Sequence, residues 1–180
     1  MPRNRTHTRA DLVTPTAPDL LARYIAGANV AAVLGGYDAA AYWSSVAYAG
    51  EYEGPLDDYM TEHDTTPALD LLAVFRRDVV VFLLTCARDG LDLADFGEGQ
   101  IGHDIWLTRN GHGTGFWCRD ADTYGTEEVR DALDSIAAAM GGHNIGVDTD
   151  TNTVVSEWDA LDARDARDAR DARDGAPGGA

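Results

Sequence analysis

Leu72, Phe75, Val79, Phe82 and Cys86 recur at steps of three, four, three and four. That spacing sets side chains on one face of an α-helix. Thr66-Pro67 ahead of the stripe has the residue types of a helix start, and Arg88-Asp89-Gly90 closes it, so a long helix is predicted between them. The run Val79-Val80-Val81 favours a strand in isolation, but stripe and length outweigh it. A second stripe, Val129, Leu133, Ile136 and Met140, follows Thr126-Glu127-Glu128 and stops at Gly141-Gly142. Here Thr126 is the expected N-cap and the two acids suit the positive end of the helix. Thr16-Ala17-Pro18-Asp19 predicts a further start, with Leu21, Ile25, Ala28 and Ala32 on one face and Gly35-Gly36 as the stop near Leu34. Asp38 then opens a shorter Ala-rich helix that carries Tyr42 and Trp43.

Elsewhere the period changes. Gly102 to Arg119, GHDIWLTRNGHGTGFWCR, sets bulky aromatics among glycines around Asn110-Gly111, the signature of a tight antiparallel hairpin. A four-residue loop over 110–113 would set Trp106 opposite Trp117 and Leu107 opposite Phe116, and a two-residue loop would shift that register. Residues 50–66 and 91–102 read as acidic connections, and 144–147 with 153–156 as a second hairpin. The order α-α-α-β-β-α-β-β predicts an α+β fold, a small, mainly antiparallel four-stranded sheet of two hairpins with helices packed on one face. Residues 1–17 read as a disordered basic arm, 18–157 as one domain, and the Ala-Arg-Asp repeats within 158–180 as a disordered tail with no face able to bury a core.

Composition sharpens this picture. With 44% apolar residues the chain can build a core. It has no apolar run near the roughly 20 residues that span a bilayer, and no apolar stretch follows the basic N-terminus as in a secretory signal. The expectation is a protein of the cytoplasm in which it is made, without a membrane. Cys86 and Cys118 form no metal-ligand pair and read as buried thiols, on a helix and a strand.

Charge is lopsided: 31 acids, 14 bases that are all Arg, and a net charge of −17. Such a body repels nucleic-acid phosphates, which argues against direct DNA or RNA binding and suits a partner with a basic groove. Asp57, Asp58, Glu62 and Asp64, with Asp89, Asp92, Asp95 and Glu98, are candidates for an acidic surface that imitates phosphate spacing. Salt adaptation, in which the charge only keeps the protein hydrated, accounts for the same composition equally well.

The 102–119 segment resembles the central motif of a family of small acidic proteins of tailed phages and prophages, which reads roughly GHDFWLTRNGHGAGFWDR. Ala41-Tyr42-Trp43-Ser44-Ser45 is similar to that family's ALWSS segment, and Pro55-Leu56-Asp57-Asp58-Tyr59 to its PLDDxY loop, so the likeness covers roughly residues 37–157. Ile105, Thr114 and Cys118 replace a usual Phe, Ala and Asp, and the 18–34 segment, the arm and the tail depart from the pattern. The resemblance implies a phage, prophage or plasmid origin and a soluble protein of the host cytoplasm. It implies no catalytic residue. With the charge, it suggests an accessory protein that acts by binding, as an acidic DNA mimic against a host DNA-handling or defence protein.

Candidate chemistry is sparse. In a hairpin, His103 near the open end and His112 at the tip lie too far apart, at about 3.3 Å per residue, to share a metal ion. The Gly-rich tip is the sharper candidate: Arg109, Asn110 and His112 could add donors to an anion-binding turn, as a small ligand-binding domain or enzyme would use. The competing structural account makes Asn110-Gly111 the geometry of the turn and pairs Arg109 with a carboxylate. Trp106 and Trp117 read as sheet packing, because acidic flanks do not suit a base-stacking platform. A chain without Lys has no P-loop, Ser44-Ser45 lacks a nucleophile elbow, and no HExxH occurs. No cofactor, metal or catalytic residue is predicted.

Overall fold

The computed structural model describes residues 6–157. Its elements are α1 (Ala17–Leu20), β1 (Tyr24–Ile25), β2 (Ala28–Asn29), α2 (Val30–Ser44), β3 (Val46–Ala49), β4 (Tyr52–Pro55), α3 (Leu56–Glu62), β5 (Thr66–Pro67), α4 (Leu69–Arg88), α5 (Glu98–Arg109), α6 (Glu127–Met140), β6 (Ile145–Asp148) and β7 (Thr153–Ser156). The fold is α+β, as the pattern predicts. The strands form separate small sheets, β1-β2, β3-β4 and β5-β7-β6, rather than one four-stranded sheet.

For the two long apolar stripes and the last hairpin, the elements agree. Helix α4 buries Leu71, Phe75, Val79, Val80, Phe82, Leu83 and Cys86. Helix α6 buries Leu133, Ile136, Ala137 and Met140 behind its Thr126 cap, whose side chain accepts from the Val129 N–H at 3.3 Å. Strands β6 and β7 pair antiparallel, turned by Asn152 at a φ of 51°. Thr66-Pro67 is not a helix cap; it forms β5, parallel to β7, and α4 begins two residues later.

Glycines overturn the rest. The start at Thr16 forms, with the Thr16 N–H donating to Asp19 at 2.8 Å, but the helix ends after one turn. Ala26 and Gly27, both at positive φ, then close the β1-β2 hairpin, the geometry of a two-residue turn. Gly35-Gly36 stops nothing: α2 runs through both to Ser44. The last four residues of the predicted Ala-rich helix become β3, and the acidic 50–66 connection supplies β4 and α3.

The largest correction concerns the predicted 102–119 hairpin: residues 102–109 belong to helix α5, and 110–119 form its cap and a short 3₁₀ turn. Ile101, Gly102, Ile105, Trp106 and Arg109 lie on the buried side of α5, at helical spacing. Asn110-Gly111 caps it. Gly111 has a φ of 67°, its N–H donates to the Thr108 carbonyl, and the His112 N–H reaches back to the Leu107 carbonyl at 3.0 Å. These two bonds are the Schellman pattern, which uses the same left-handed glycine as a hairpin turn. Trp106 does not face Trp117. Trp106 is in the core, while Trp117 is 55% exposed on a short 3₁₀ turn, Phe116–Cys118.

Helices α2 and α5 touch through backbone. A Cβ on Gly36 would collide with the Gly99 carbonyl, and one on Gly102 with the Val33 carbonyl and the Tyr37 N–H. Glycine at these positions lets the two helices approach. Tyr37, Phe75 and Trp106 meet at the centre in edge-to-face pairs with centroids 5.2–5.6 Å apart.

Within the predicted arm, residues 6–15 lie against the body. The buried His7 ring meets Asp89 at 2.7 Å, and the His7 backbone N–H donates to Ser135 at 2.6 Å. The predicted tail lies outside the described residues. Both cysteines are free thiols: Cys86 is buried on α4, where burial raises its pKa, and Cys118 is exposed on the 3₁₀ turn rather than a strand. Among the described residues no helix is long and apolar enough to cross a membrane.

Candidate functional site

Two carboxylates in this acidic chain, one fully buried and one partly buried, each hold an arginine. Asp104 on α5 is fully buried. Arg119 donates to both its oxygens at 2.7–3.2 Å, the Tyr124 hydroxyl donates at 2.7 Å and the Gln100 amide at 2.8 Å. Burial and the Asp104 charge push the Tyr124 phenol up, so it stays a donor. His103 lies beside the cluster, 3.7 Å from Asp104, with its ring near Trp43. Both oxygens of Asp104 are satisfied.

Asp78 on α4 anchors the second cluster. The Tyr37 hydroxyl donates to its Oδ2 at 3.1 Å and Arg109 donates to the same atom. Arg109 also donates to the Tyr37 oxygen at 2.6 Å and to the Gly141 carbonyl at 2.8 Å. Burial raises the Asp78 pKa, but His143 and Arg109 more than offset it and hold the carboxyl below its ordinary value. His143 stands 3.5 Å from Asp78 through Nδ1 and 3.0 Å from Ser156 Oγ through Nε2. The order Asp78–His143–Ser156 has the connectivity of a nucleophile relay. Ser156, however, is 8% exposed on a regular strand, and Asp78 is committed to Arg109 and Tyr37, which makes this a buried structural network.

One arm of that network reaches the surface. A cleft of about 230 Å³ lies between the C-terminal ends of α2 and α5 and the start of β6. Its polar wall is Ser44, Asn110, His112, His143 and Glu157. The Asn110 side chain ties two of these parts together, donating to the Trp106 carbonyl at 3.0 Å and accepting from the His143 N–H at 2.6 Å. The Trp106 indole N–H, which can only donate, gives its bond to Ser44 Oγ at 2.9 Å. That leaves the Ser44 hydroxyl hydrogen for His112 Nε2 at 3.3 Å. Partial burial lowers the His112 pKa, so the ring is neutral at pH 7.

The predicted tip residues therefore divide. Arg109 is buried in an ion pair with Asp78, the structural account, and takes no part in an exposed turn. Asn110 and His112 do face one cleft, but as a helix cap and the residue after it. Ser44, His143 and Glu157 join them from 68, 31 and 45 residues away in sequence, counted from His112. No local pattern could have linked them, since the crossing of α2 over α5 makes the assembly.

The acidic candidates fall into two groups at opposite ends of α2. Asp57, Asp58, Glu62 and Asp64 follow Leu56, whose N–H donates to the Ser45 carbonyl at the C-terminal end. Glu98 accepts from the Asn29 N–H at 2.6 Å at the N-terminal end, about 22 Å away along 15 residues. Asp89 holds His7 and Arg88, and Asp92 accepts from the Ala94 N–H, so three of the four acids from 89 to 98 have internal roles; Asp95 is exposed. Among the described residues no group of three or more His, Cys, Asp or Glu could hold a metal ion. Comparison with protein-family models, with curated proteins and with solved structures returns no match.

Proposed function

We infer that the protein acts by binding, and that its site is the Ser44–His112–His143 cleft, which takes a small uncharged polar molecule. The observation that carries this reading is the meeting of a hydroxyl, an amide and two imidazoles on one concave surface. Each is oriented by a bond to the body, which reduces the entropy lost on binding. The neutral His112 and the Ser44 hydroxyl offer both donor and acceptor capacity, the requirement for a ligand with amide or hydroxyl groups. The test is His112→Ala in a ligand screen read by imidazole and backbone chemical shifts. Hits should cluster on Ser44, Asn110, His112 and His143 and vanish in the variant, with melting temperature unchanged. Hits that ignore these residues, or a variant that merely loses stability, would sink the reading.

A second reading keeps the acidic surface as a decoy for a basic-groove host protein, in the phage-type setting that the 102–119 segment resembles. In its favour stand the net charge of −17 and the exposed Asp58, Glu62 and Asp64 on and after α3. The division of the acids between two ends of α2 favours a short acidic patch over a long stripe. Capture of a host nuclease that weakens as salt rises would support it.

A further inference from the structure

A second cleft, of about 260 Å³, lies between the 9–15 segment, α4 and the end of α6. Arg9 comes from the segment and Arg77 from α4, while Leu12, Val81 and Met140 supply apolar surface. Asp78 also lines the cleft, but its charge is balanced by Arg109. Most other arginines of the body are engaged; Arg23, exposed just before β1, forms no ion pair among the described residues but lies outside this cleft. Arg76 donates to the Leu20 and Ala22 carbonyls, Arg88 pairs with Asp89, Arg119 with Asp104, and Arg130 with Asp131. Within the described residues neither Arg9 nor Arg77 forms an ion pair, although the chain carries 31 acids. Two unpaired like charges lining one cleft repel each other unless an anion joins them there.

We propose that this cleft is a binding site for a small organic anion with an apolar body, its carboxylate or phosphate held by Arg9 and Arg77. The guanidinium groups fit planar or tetrahedral oxyanions through paired N–H donors, and the apolar floor takes the rest of the molecule. The overall negative charge slows approach of such a ligand and leaves recognition to the cleft itself.

Calorimetric titration of the full chain with hexanoate, hexanamide and inorganic phosphate tests the proposal. Hexanoate is expected to bind measurably more tightly than hexanamide, which has the same shape without the charge, and than phosphate, which lacks the apolar body. Arg77→Gln and Arg9→Gln, both at exposed positions, should each weaken hexanoate about tenfold, the scale of a charge-assisted hydrogen bond, with unchanged melting temperature. Equal binding of hexanamide would show a merely apolar pocket, and equal binding of phosphate a merely ionic one. No binding of hexanoate, or binding indifferent to both substitutions, would also overturn the site.

Discussion

Helix α6 meets the body through Leu133, Ile136 and Met140, while α2 and α5 meet each other where Gly36, Gly99 and Gly102 expose bare backbone. In the first region, contact area comes from side chains, and the sequence records it as a stripe. In the second, closeness comes from missing side chains, and the sequence records it as glycines. Glycine is ambiguous in a way leucine is not. It ends helices, opens turns and admits a neighbouring backbone, and only the partner element says which. The same comparison separates the two buried arginine clusters from the cleft: the polar wall forms only because the close α2–α5 crossing brings Ser44 beside His112.

The largest expected effect breaks the crossing. Gly102→Ala places a methyl group against the Val33 carbonyl and the Tyr37 N–H, atoms that no rotamer change can move. The loss should be about 3 kcal/mol or more, at the upper end of overpacking costs, and comparable to truncating a buried leucine such as Leu133 to Ala on α6. Thermal melts should fall by about 6–12 °C for a protein of this size. His112→Ala, by contrast, leaves the crossing intact and should leave the melt alone. A mild Gly102→Ala would mean that the helices separate easily and that the cleft is not held by their contact.

This contrast explains which parts of the molecule could be read in advance. Thr126, the α6 stripe, the α4 stripe and the β6-β7 turn obey local rules, and each stands where its pattern puts it. Asn110-Gly111 obeys a local rule too, but two structures share it. A hairpin and a Schellman cap both need a left-handed residue after a polar one. The helical spacing of Ile101, Ile105, Trp106 and Arg109 was the deciding signal, masked by the glycines between and beside them. Arg109 is legible as a carboxylate partner because an acidic chain offers many. That the partner is Asp78, one turn past Phe75 on α4, depends on tertiary packing alone.

A smaller effect lies on the polar side of α2. Asp38 has a buried Oδ1 with no hydrogen-bond partner among the described residues, and burial pushes its pKa up to about 6. A folded-state pKa above the ordinary carboxylate value means the fold favours the protonated form. Its stabilising effect is present in full below about pH 4 and is lost as pH rises through about 6. Asp38→Asn removes that loss, so its melting temperature should exceed the parent's at pH 8 and match it at pH 4. A difference constant across this range would show that Asp38 is solvated in the folded state.

The finest test of the comparison uses neighbouring glycines in one helix. Gly35 and Gly36 both lie in α2, yet a Cβ on Gly35 meets nothing within 4 Å, whereas one on Gly36 strikes the Gly99 carbonyl. Gly35 therefore has no packing role, and its backbone freedom only favours the unfolded chain. Gly35→Ala should stabilise the protein by about 0.5–1 kcal/mol, the helix-propensity difference, while Gly36→Ala destabilises it by several times that amount. Denaturant midpoints measured on the pair at one pH give both signs in a single experiment. Two losses would mean that α2 needs flexibility at this point, and two gains that α5 does not press on α2. Opposite signs one residue apart would tie Gly36 to helix contact rather than to helix termination.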